Sequence, residues 1–453
     1  MTAGPDDAQT TVYALHALGG SGASFRAVAA HLTPGIRLVT IDLPGFGEAG
    51  DARQRGARGM ADHVLARIRS DGAARWVLLG HSMGGKVASV VARRALAGDD
   101  LVFGFAGVVL LAGSPPTPEP MSEQRRAEMI GWASDGALDE TAARTFVEAN
   151  TALPLSHECD ERTIDDLRRA APDAWVHWLA QGSREDLAAF VGELDVPALI
   201  LGGEDDDDLG ADAQPRLHRG VYPRARFVRL RETGHLLPQE RPRAVASAVV
   251  AVCTKIAEHA PAVPSEWADL IASPQVEPRV RAALAARAIA DDPGYRPRAM
   301  TPAQLDTLRA LAALVVPQPQ PGGRIDLAAR FDRQLAAGVG DGWRPAILPP
   351  DAVATGLALD ALAGVDLDDD AVAALVAGEL EPAASALTAA QLQAWFDDVR
   401  VELTRQWLAH PASLARARND SFATRGGADP RGFAVLAAGR RDRWEPSDLG
   451  VAG

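Results

Sequence analysis

Through the first 258 residues, short β-branched runs alternate with stretches that carry apolar residues at helical spacing. The runs predict strands at Thr11–Leu15, Ile36–Ile41, Trp76–Leu79, Val108–Leu111, Ala198–Leu201 and Arg226–Leu230. The helical period shows at Phe25–Leu32, Met60–Arg69 and Gly85–Leu96. Strands alternating with helices imply a mostly parallel sheet covered on both faces. Ligand-binding and catalytic groups in such sheets collect at the carboxyl ends of the strands. The alternation stops over about 119–194, where SEQRRAEMIGWA, DETAARTFVEAN, ERTIDDLRRA and DAWVHWLAQG all read as helix. A helical insertion between two strands is expected to form a lid over the sheet edge. It carries Trp132, Trp175 and Trp178. These should pack the lid onto the core, with one or two of them lining a substrate pocket.

Beyond residue 258 the pattern changes. Prolines crowd 259–297 (Pro261, Pro264, Pro274, Pro278, Pro293, Pro297), with one helical piece around Val280–Ile289, and this stretch reads as a linker region. Residues 298–447 are Ala-rich without strand alternation and predict a second, mainly α-helical domain, broken after its first helix by PQPQPGG (Pro317–Gly323). The fold class expected is therefore α/β, a mostly parallel sheet with a helical lid, followed by a mainly helical C-terminal domain.

Composition narrows the function classes. A net charge of −14 argues against a nucleic-acid binder. Two cysteines, Cys159 and Cys253, form neither a disulfide framework nor a CxxC pair, so a reducing compartment is expected. MTAGPDDAQTTVYAL has no basic or apolar signal region. The longest apolar stretch, Leu101 to Gly113, is about 13 residues where a membrane span needs about 20. The expectation is a cytoplasmic protein.

The chemistry centres on Gly80-His81-Ser82-Met83-Gly84, between a predicted strand and a helix at Lys86–Leu96. G-x-S-x-G in that setting lets a serine project from a sharp turn, since its glycines avoid clashes where strand becomes helix. Ser82 is the candidate nucleophile. A base should follow a late strand, and His235 in Glu232-Thr233-Gly234-His235 follows Arg226–Leu230. A carboxylate should follow the preceding strand, where Glu204-Asp205-Asp206-Asp207-Asp208 offers several candidates. Oxyanion donors are expected from the backbone of Met83 and of Leu18, in the loop after the first strand. His81 reads as packing beside the turn, Asp42 as fixing a loop, and Ser183-Arg184-Glu185-Asp186 as a helix cap. The aspartate run lacks the spacing of a calcium loop, and no metal is expected.

These blocks, HALGGSG, DLPGFG, GHSMGGKVA, LILGGEDD and GHLLPQERP, in this order, resemble the α/β-hydrolase superfamily, in particular its lidded serine esterase-like members, over residues 1–258. One position departs, Ala17 standing where glycine is common. The resemblance implies that the acid is the third residue after the last glycine of LILGG, Asp206, with Asp205 as alternative. It implies acyl transfer to water without a cofactor, on esters, lactones or thioesters; C–C cleavage and peracid formation use the same residues. Members with an aspartate nucleophile are disfavoured by Ser82. Residues 298–447 resemble the gluconate 2-dehydrogenase subunit 3 family through Met300-Thr301-Pro302-Ala303-Gln304-Leu305-Asp306-Thr307-Leu308, Leu314-Val315-Val316-Pro317 and Trp407-Leu408-Ala409-His410-Pro411. That implies a partner-binding module for a flavin-dependent oxidoreductase, and an accessory role as the alternative to catalysis. His410 and Arg425-Gly426-Gly427 read as structural.

Overall fold

The computed structural model describes residues 9–318, 323–339, 345–382 and 385–423. Six strands, β1 (Thr10–Leu15), β2 (Ile36–Ile41), β3 (Trp76–His81), β4 (Phe105–Leu111), β5 (Ala198–Gly203) and β6 (Ala225–Leu230), form one sheet in the order β2-β1-β3-β4-β5-β6. Every pairing is parallel. The expected strands are all present, β2 with the bounds expected and the others running on or starting slightly earlier than the apolar run alone suggests. β1, β3 and β4 are buried at every position, which is why they read as continuous apolar runs, whereas edge strand β6 mixes half-buried and exposed residues.

Alternation inside each strand divides the core. Tyr13, Leu15, Trp76 and Leu78 face the helices Gly56–Asp71 and Met83–Ala97; Val12, Ala14, Val77 and Leu79 face the helix Pro242–His259. The register pairs Leu15 with Gly80 and Gly203 with Leu230. The loops that follow β1, β3, β5 and β6 therefore leave from one end of the sheet.

Between β4 and β5 stand the helices Glu123–Gly131, Glu140–Ala149, His157–Arg169 and Pro172–Ala180. Ser122 and Asp139 cap the first two by accepting the amides of Arg125 and Ala142, and Pro172 opens the fourth. Phe25–Leu32, expected to be helical, makes only the short turns Gly22–Phe25 and Arg26–Ala29.

The proline-rich stretch departs from the expected linker. It holds two helices, Ser265–Ala272 and Pro278–Ala288, with Pro264 and Pro278 at their starts, where a missing N–H costs nothing. Arg281 is 1% exposed. Its guanidinium donates to the carbonyls of Ile271 (2.8 Å), Ser273 (2.6 Å), Val276 (2.9 Å) and Gly98. Gly98 caps the Met83–Ala97 helix at φ 83°, and a Cβ there would lie 2.2 Å from the Pro278 carbonyl oxygen. Three of these carbonyls tie the stretch to itself, and that of Gly98 ties it to the end of the sheet-covering helix.

The C-terminal residues that are described are helical: Pro302–Val315, Leu327–Ala337, Asp351–Leu362, Asp369–Ala377, Ala389–Leu408 and Pro411–Arg416. They enclose a separate core that includes Leu308, Leu359, Trp395 and Leu403. Two capping boxes, Thr301/Gln304 and Thr388/Gln391, set helix starts. The buried Asp332 carboxylate accepts from Tyr295 Oη (2.5 Å) and the amides of Arg298, Ala299 and Met300 (2.7–3.0 Å). Buried Asp291 takes Arg330 Nε and Arg333 Nη2, each at 3.0 Å, and the Asp326 amide, joining the two helical stretches. His410 caps the last helix through Nδ1 to the Ala412 amide. Residues 319–322 of PQPQPGG, and Arg425-Gly426-Gly427 with the rest of 424–447, lie outside the described residues.

Candidate active site

Ser82 sits where β3 turns into the Met83–Ala97 helix, at φ 50° and ψ −118°, a conformation that costs a non-glycine residue about 1–3 kcal/mol. The neighbours hold it there. Its amide donates to the Leu111 carbonyl (3.0 Å), and its carbonyl accepts from Gly85 (2.7 Å) and Ser114 (2.9 Å). The glycines permit the close approach: a Cβ on Gly84 would lie 2.3 Å from the Leu15 carbonyl oxygen, and one on Gly85 2.8 Å from Gly113 Cα. The helix begins at Met83 rather than near Lys86, which puts the Met83 N–H in the first turn, where an amide has no partner inside its own helix.

His235 lies in the loop after β6. Its Nδ1 donates to Asp206 Oδ2 at 2.7 Å, with the histidine side chain 12% and the aspartate side chain 5% exposed. The carboxylate fixes the tautomer and leaves Nε2 unprotonated in the neutral ring. Asp206 Oδ1 is taken by the amides of Leu209 (3.0 Å) and Asp208 (3.2 Å). Asp205 points elsewhere, accepting the Thr233 amide at 3.1 Å. Burial works against charge on both partners. For His235 it lowers the pKa, but the Asp206 charge and hydrogen bond more than reverse this, and the net shift is upward. For Asp206 burial raises the pKa, and His235 with the two amides brings it below the ordinary value.

The loop carrying His235 is pinned by residues that pattern reading did not single out. Asn150, at the end of an inserted helix, accepts the His235 and Leu236 amides (2.8 and 3.1 Å). Glu240 accepts the amides of Gly234 (3.0 Å) and Ala152 (2.8 Å). His81 does pack beside the turn, and its Nε2 donates to the His235 carbonyl at 2.8 Å. Burial foremost, then the neighbouring His235, pushes the His81 pKa down to about 3, so its ring stays neutral.

Leu18 follows β1 in a loop braced from below. His16 Nδ1 donates to the Ala17 carbonyl (2.7 Å), and His16 Nε2 accepts the Leu43 amide (2.9 Å). Ser21 Oγ donates to Asp166 Oδ2 (2.6 Å) on an inserted helix. Asp42 fixes its loop by accepting the amides of Gly22 (2.6 Å) and Glu48 (2.7 Å). Gly19 is at φ 73°, and a Cβ there would lie 2.5 Å from Leu167 and 2.9 Å from Trp175.

Ser82, Asp206, His235 and Leu18 line one cavity of about 80 Å³, together with Trp178, Phe146, Met129, Glu119 and Arg125. Met83 is wholly buried beneath it. Of the three tryptophans, Trp178 reaches the cavity wall. Trp175 is fully buried, donates Nε1 to the Met129 carbonyl (2.7 Å) and props the Gly19 loop; Trp132 packs on Trp175 at 6.5 Å between ring centroids. Ser183 is buried rather than presented to the cavity, with Oγ on the Leu179 carbonyl, and Asp186 caps the next turn at the Ala188 amide.

Comparison with known proteins follows the same boundary as the sheet. The model of the alpha/beta hydrolase family matches residues 12–248. The chain belongs to the alpha/beta hydrolase family. It is 25% identical over 249 residues to an uncharacterized hydrolase, YugF, of Bacillus subtilis, covering 52% of this chain and 86% of that protein. It is 28% identical over 232 residues to the pimeloyl-[acyl-carrier protein] methyl ester esterase of Neisseria meningitidis serogroup B (strain H44/76), covering 49% and 84%. It is 25% identical over 252 residues to the 2-hydroxy-6-oxononadienedioate/2-hydroxy-6-oxononatrienedioate hydrolase of Cupriavidus pinatubonensis, covering 53% and 85%. These relatives are hydrolases by name, which supports a hydrolase here. The family match closes inside the Pro242–His259 helix, and the helices after it lie outside the match. Among the described residues no helix is long and apolar enough to cross a membrane.

Proposed function

We propose that the protein is a serine hydrolase that cleaves a small or medium carboxylic ester or lactone through Ser82, His235 and Asp206. The observation that carries this is one cavity holding both a serine on a strained strand-to-helix turn and a histidine whose Nδ1 is locked on a buried carboxylate. In the mechanism, Ser82 Oγ attacks the carbonyl carbon while His235 Nε2 takes its proton. The N–H groups of Leu18 and Met83 receive the developing oxyanion, each such donor contributing about 3 kcal/mol to the barrier. His235 returns the proton to the leaving alcohol, an acyl-enzyme remains on Ser82, and water activated by His235 releases the acid. The helices over 119–194 act as the lid, with Trp178 bounding the acyl pocket. An apolar cavity of about 150 Å³ holds a benzene ring, so the smaller space beside Ser82 favours acyl chains of a few carbons.

The test is active-site labelling. The wild type and Ser82→Ala are treated with a fluorophosphonate, the adduct is mapped by mass spectrometry, and p-nitrophenyl esters of rising acyl length are assayed. Labelling at Ser82 with turnover lost in Ser82→Ala is the expected result; equal turnover in both proteins would end the proposal. The Cupriavidus relative's name makes C–C hydrolysis the second reading, tested with a 2-hydroxy-6-oxo-diene acid as substrate. A flavoprotein partner for the C-terminal helices rests on the resemblance of residues 298–447 alone, since the family match stops at residue 248.

A further inference from the structure

The cavity beside Ser82 is lined by five carboxylates, Glu119 and Asp205 to Asp208, against one arginine, Arg125. Asp206 is committed to His235. Arg125 Nε lies 3.8 Å from Asp208 Oδ2, so that pair offsets itself. Three carboxylates are left over. Asp205 and Asp207 are exposed and mark the mouth. Glu119 stands inside it, half-buried, with Oε1 shut off from solvent and in no well-formed hydrogen bond among the described residues, the Ser114 hydroxyl beside it being likewise unpaired. Burial raises the pKa of this carboxyl, and Ser114, Lys86, His235 and Arg126 only partly offset it.

Two buried cations lie behind Glu119, but neither lines the cavity and both are engaged. The Lys86 ammonium is held by the carbonyls of Gly182, Ser183 and Glu185 at 3.1–3.3 Å. Arg126 binds the Leu179 carbonyl (2.7 Å) and Ser183 Oγ, and lies 3.4 Å from Glu123. A buried carboxyl oxygen without a well-formed hydrogen bond is costly, and one that borders a cavity is open to a donor that enters the cavity. An acidic mouth above an unmatched acid repels anions and concentrates cations. Phe146 and Met129 supply a wall against which the methyl groups of an ammonium can rest.

We propose that the site selects esters that carry a positive charge, an ammonium group engaged by Glu119 and drawn in by Asp205 and Asp207, and discriminates against esters that carry a carboxylate. This rests on the hydrolase reading above, and the test separates the two.

The probes are butyrylcholine, its uncharged isostere 3,3-dimethylbutyl butyrate, and the anionic ethyl hydrogen succinate, with p-nitrophenyl butyrate and fluorophosphonate labelling as controls. The expected result is a kcat/KM for butyrylcholine about tenfold or more above the isostere at low ionic strength, with the succinate ester slowest. The preference should shrink toward one near 1 M salt, where the screening length is about 3 Å. Glu119→Gln should lower the ratio chiefly through KM, and Glu119→Asp should restore part of it. A ratio of one or less in the wild type at low salt, or a ratio that Glu119→Gln leaves unchanged, overturns the selection while labelled Ser82 and turnover of p-nitrophenyl butyrate leave the hydrolase standing. The salt series needs no variant and reads the same quantity. No label and no turnover of any ester would remove both.

Discussion

Asp206→Asn is the most informative single change. In the folded protein Oδ1 is occupied by the amides of Asp208 and Leu209, and Oδ2 faces His235 Nδ1. Asparagine keeps its oxygen on those two amides and so turns its NH₂ toward Nδ1. Two donors cannot share that contact. His235 answers by moving its proton to Nε2, the nitrogen that must be free to accept one from Ser82. The size and shape of the site hardly change, yet the base is lost. A wrong-tautomer histidine of this kind costs about 10⁴ in kcat, or about 5.5 kcal/mol of barrier at about 1.36 kcal/mol per decade. The pH profile carries a second signature. In the proposed mechanism His235 must be neutral, so activity should rise with pH through a pKa that Asp206 holds above the ordinary histidine value against burial. With the carboxylate gone, burial prevails, the pKa falls, and the acid limb of the residual activity moves to lower pH. The assay is p-nitrophenyl butyrate hydrolysis from pH 5 to 9, with near-ultraviolet circular dichroism to confirm native packing. Retention of more than about a tenth of wild-type kcat, or greater damage from Asp205→Asn, would refute the assignment.

Gly84→Ala puts a Cβ 2.3 Å from the Leu15 carbonyl oxygen, where only backbone can give way, so its thermal midpoint should drop by the equivalent of about 1–3 kcal/mol and turnover should fall with it. Asp332→Ala strands three amides and the Tyr295 hydroxyl, at about 1–3 kcal/mol for each group left unpaired; limited proteolysis should then open the 295–340 region while Ser82 still labels. Arg281→Met leaves the carbonyls of Gly98, Ile271, Ser273 and Val276 without their shared donor, and thermal denaturation should report a loss of a similar order. In an acyl-length series the p-nitrophenyl acetate and butyrate should exceed the palmitate in kcat/KM, since the cavity beside Ser82 is only about 80 Å³.

The sheet was legible because its central strands β1, β3 and β4 are buried throughout and leave apolar runs, and Ser82 because a turn that tight needs glycine at fixed places. Asp206 was not separable from Asp205 by residue type. The choice depends on which carboxylate a local turn aims, here set by the amides of Asp208 and Leu209, and family resemblance pointed to it where composition did not. Glu240, Asn150 and Glu119 were invisible for another reason: the Ala152 amide that Glu240 accepts is 88 positions away, and nothing local marks such a residue. The three tryptophans all lie in the helical insertion but have different fates, since only packing decides that Trp178 meets the cavity and Trp175 the core. The stretch 259–297 was misread because prolines that start helices look, in sequence, like prolines that keep a chain extended.

That stretch bears on inheritance. The portion this chain has in common with its relatives ends at residue 248, but the portion that folds as one body does not. Arg281 grips the far end of the helix that Ser82 begins, Arg75 donates to the Ala260 carbonyl at 3.0 Å, and the Arg324 amide donates to the Glu258 carbonyl at 3.2 Å. Contacts on both sides of the family boundary therefore hold each other in place. Recombination that swapped the C-terminal helices for another module at the family boundary would strip the ancestral part of contacts it now relies on. Even a break after the Pro278–Ala288 helix would give up the Arg324–Glu258 contact and the hold of Arg330 and Arg333 on Asp291.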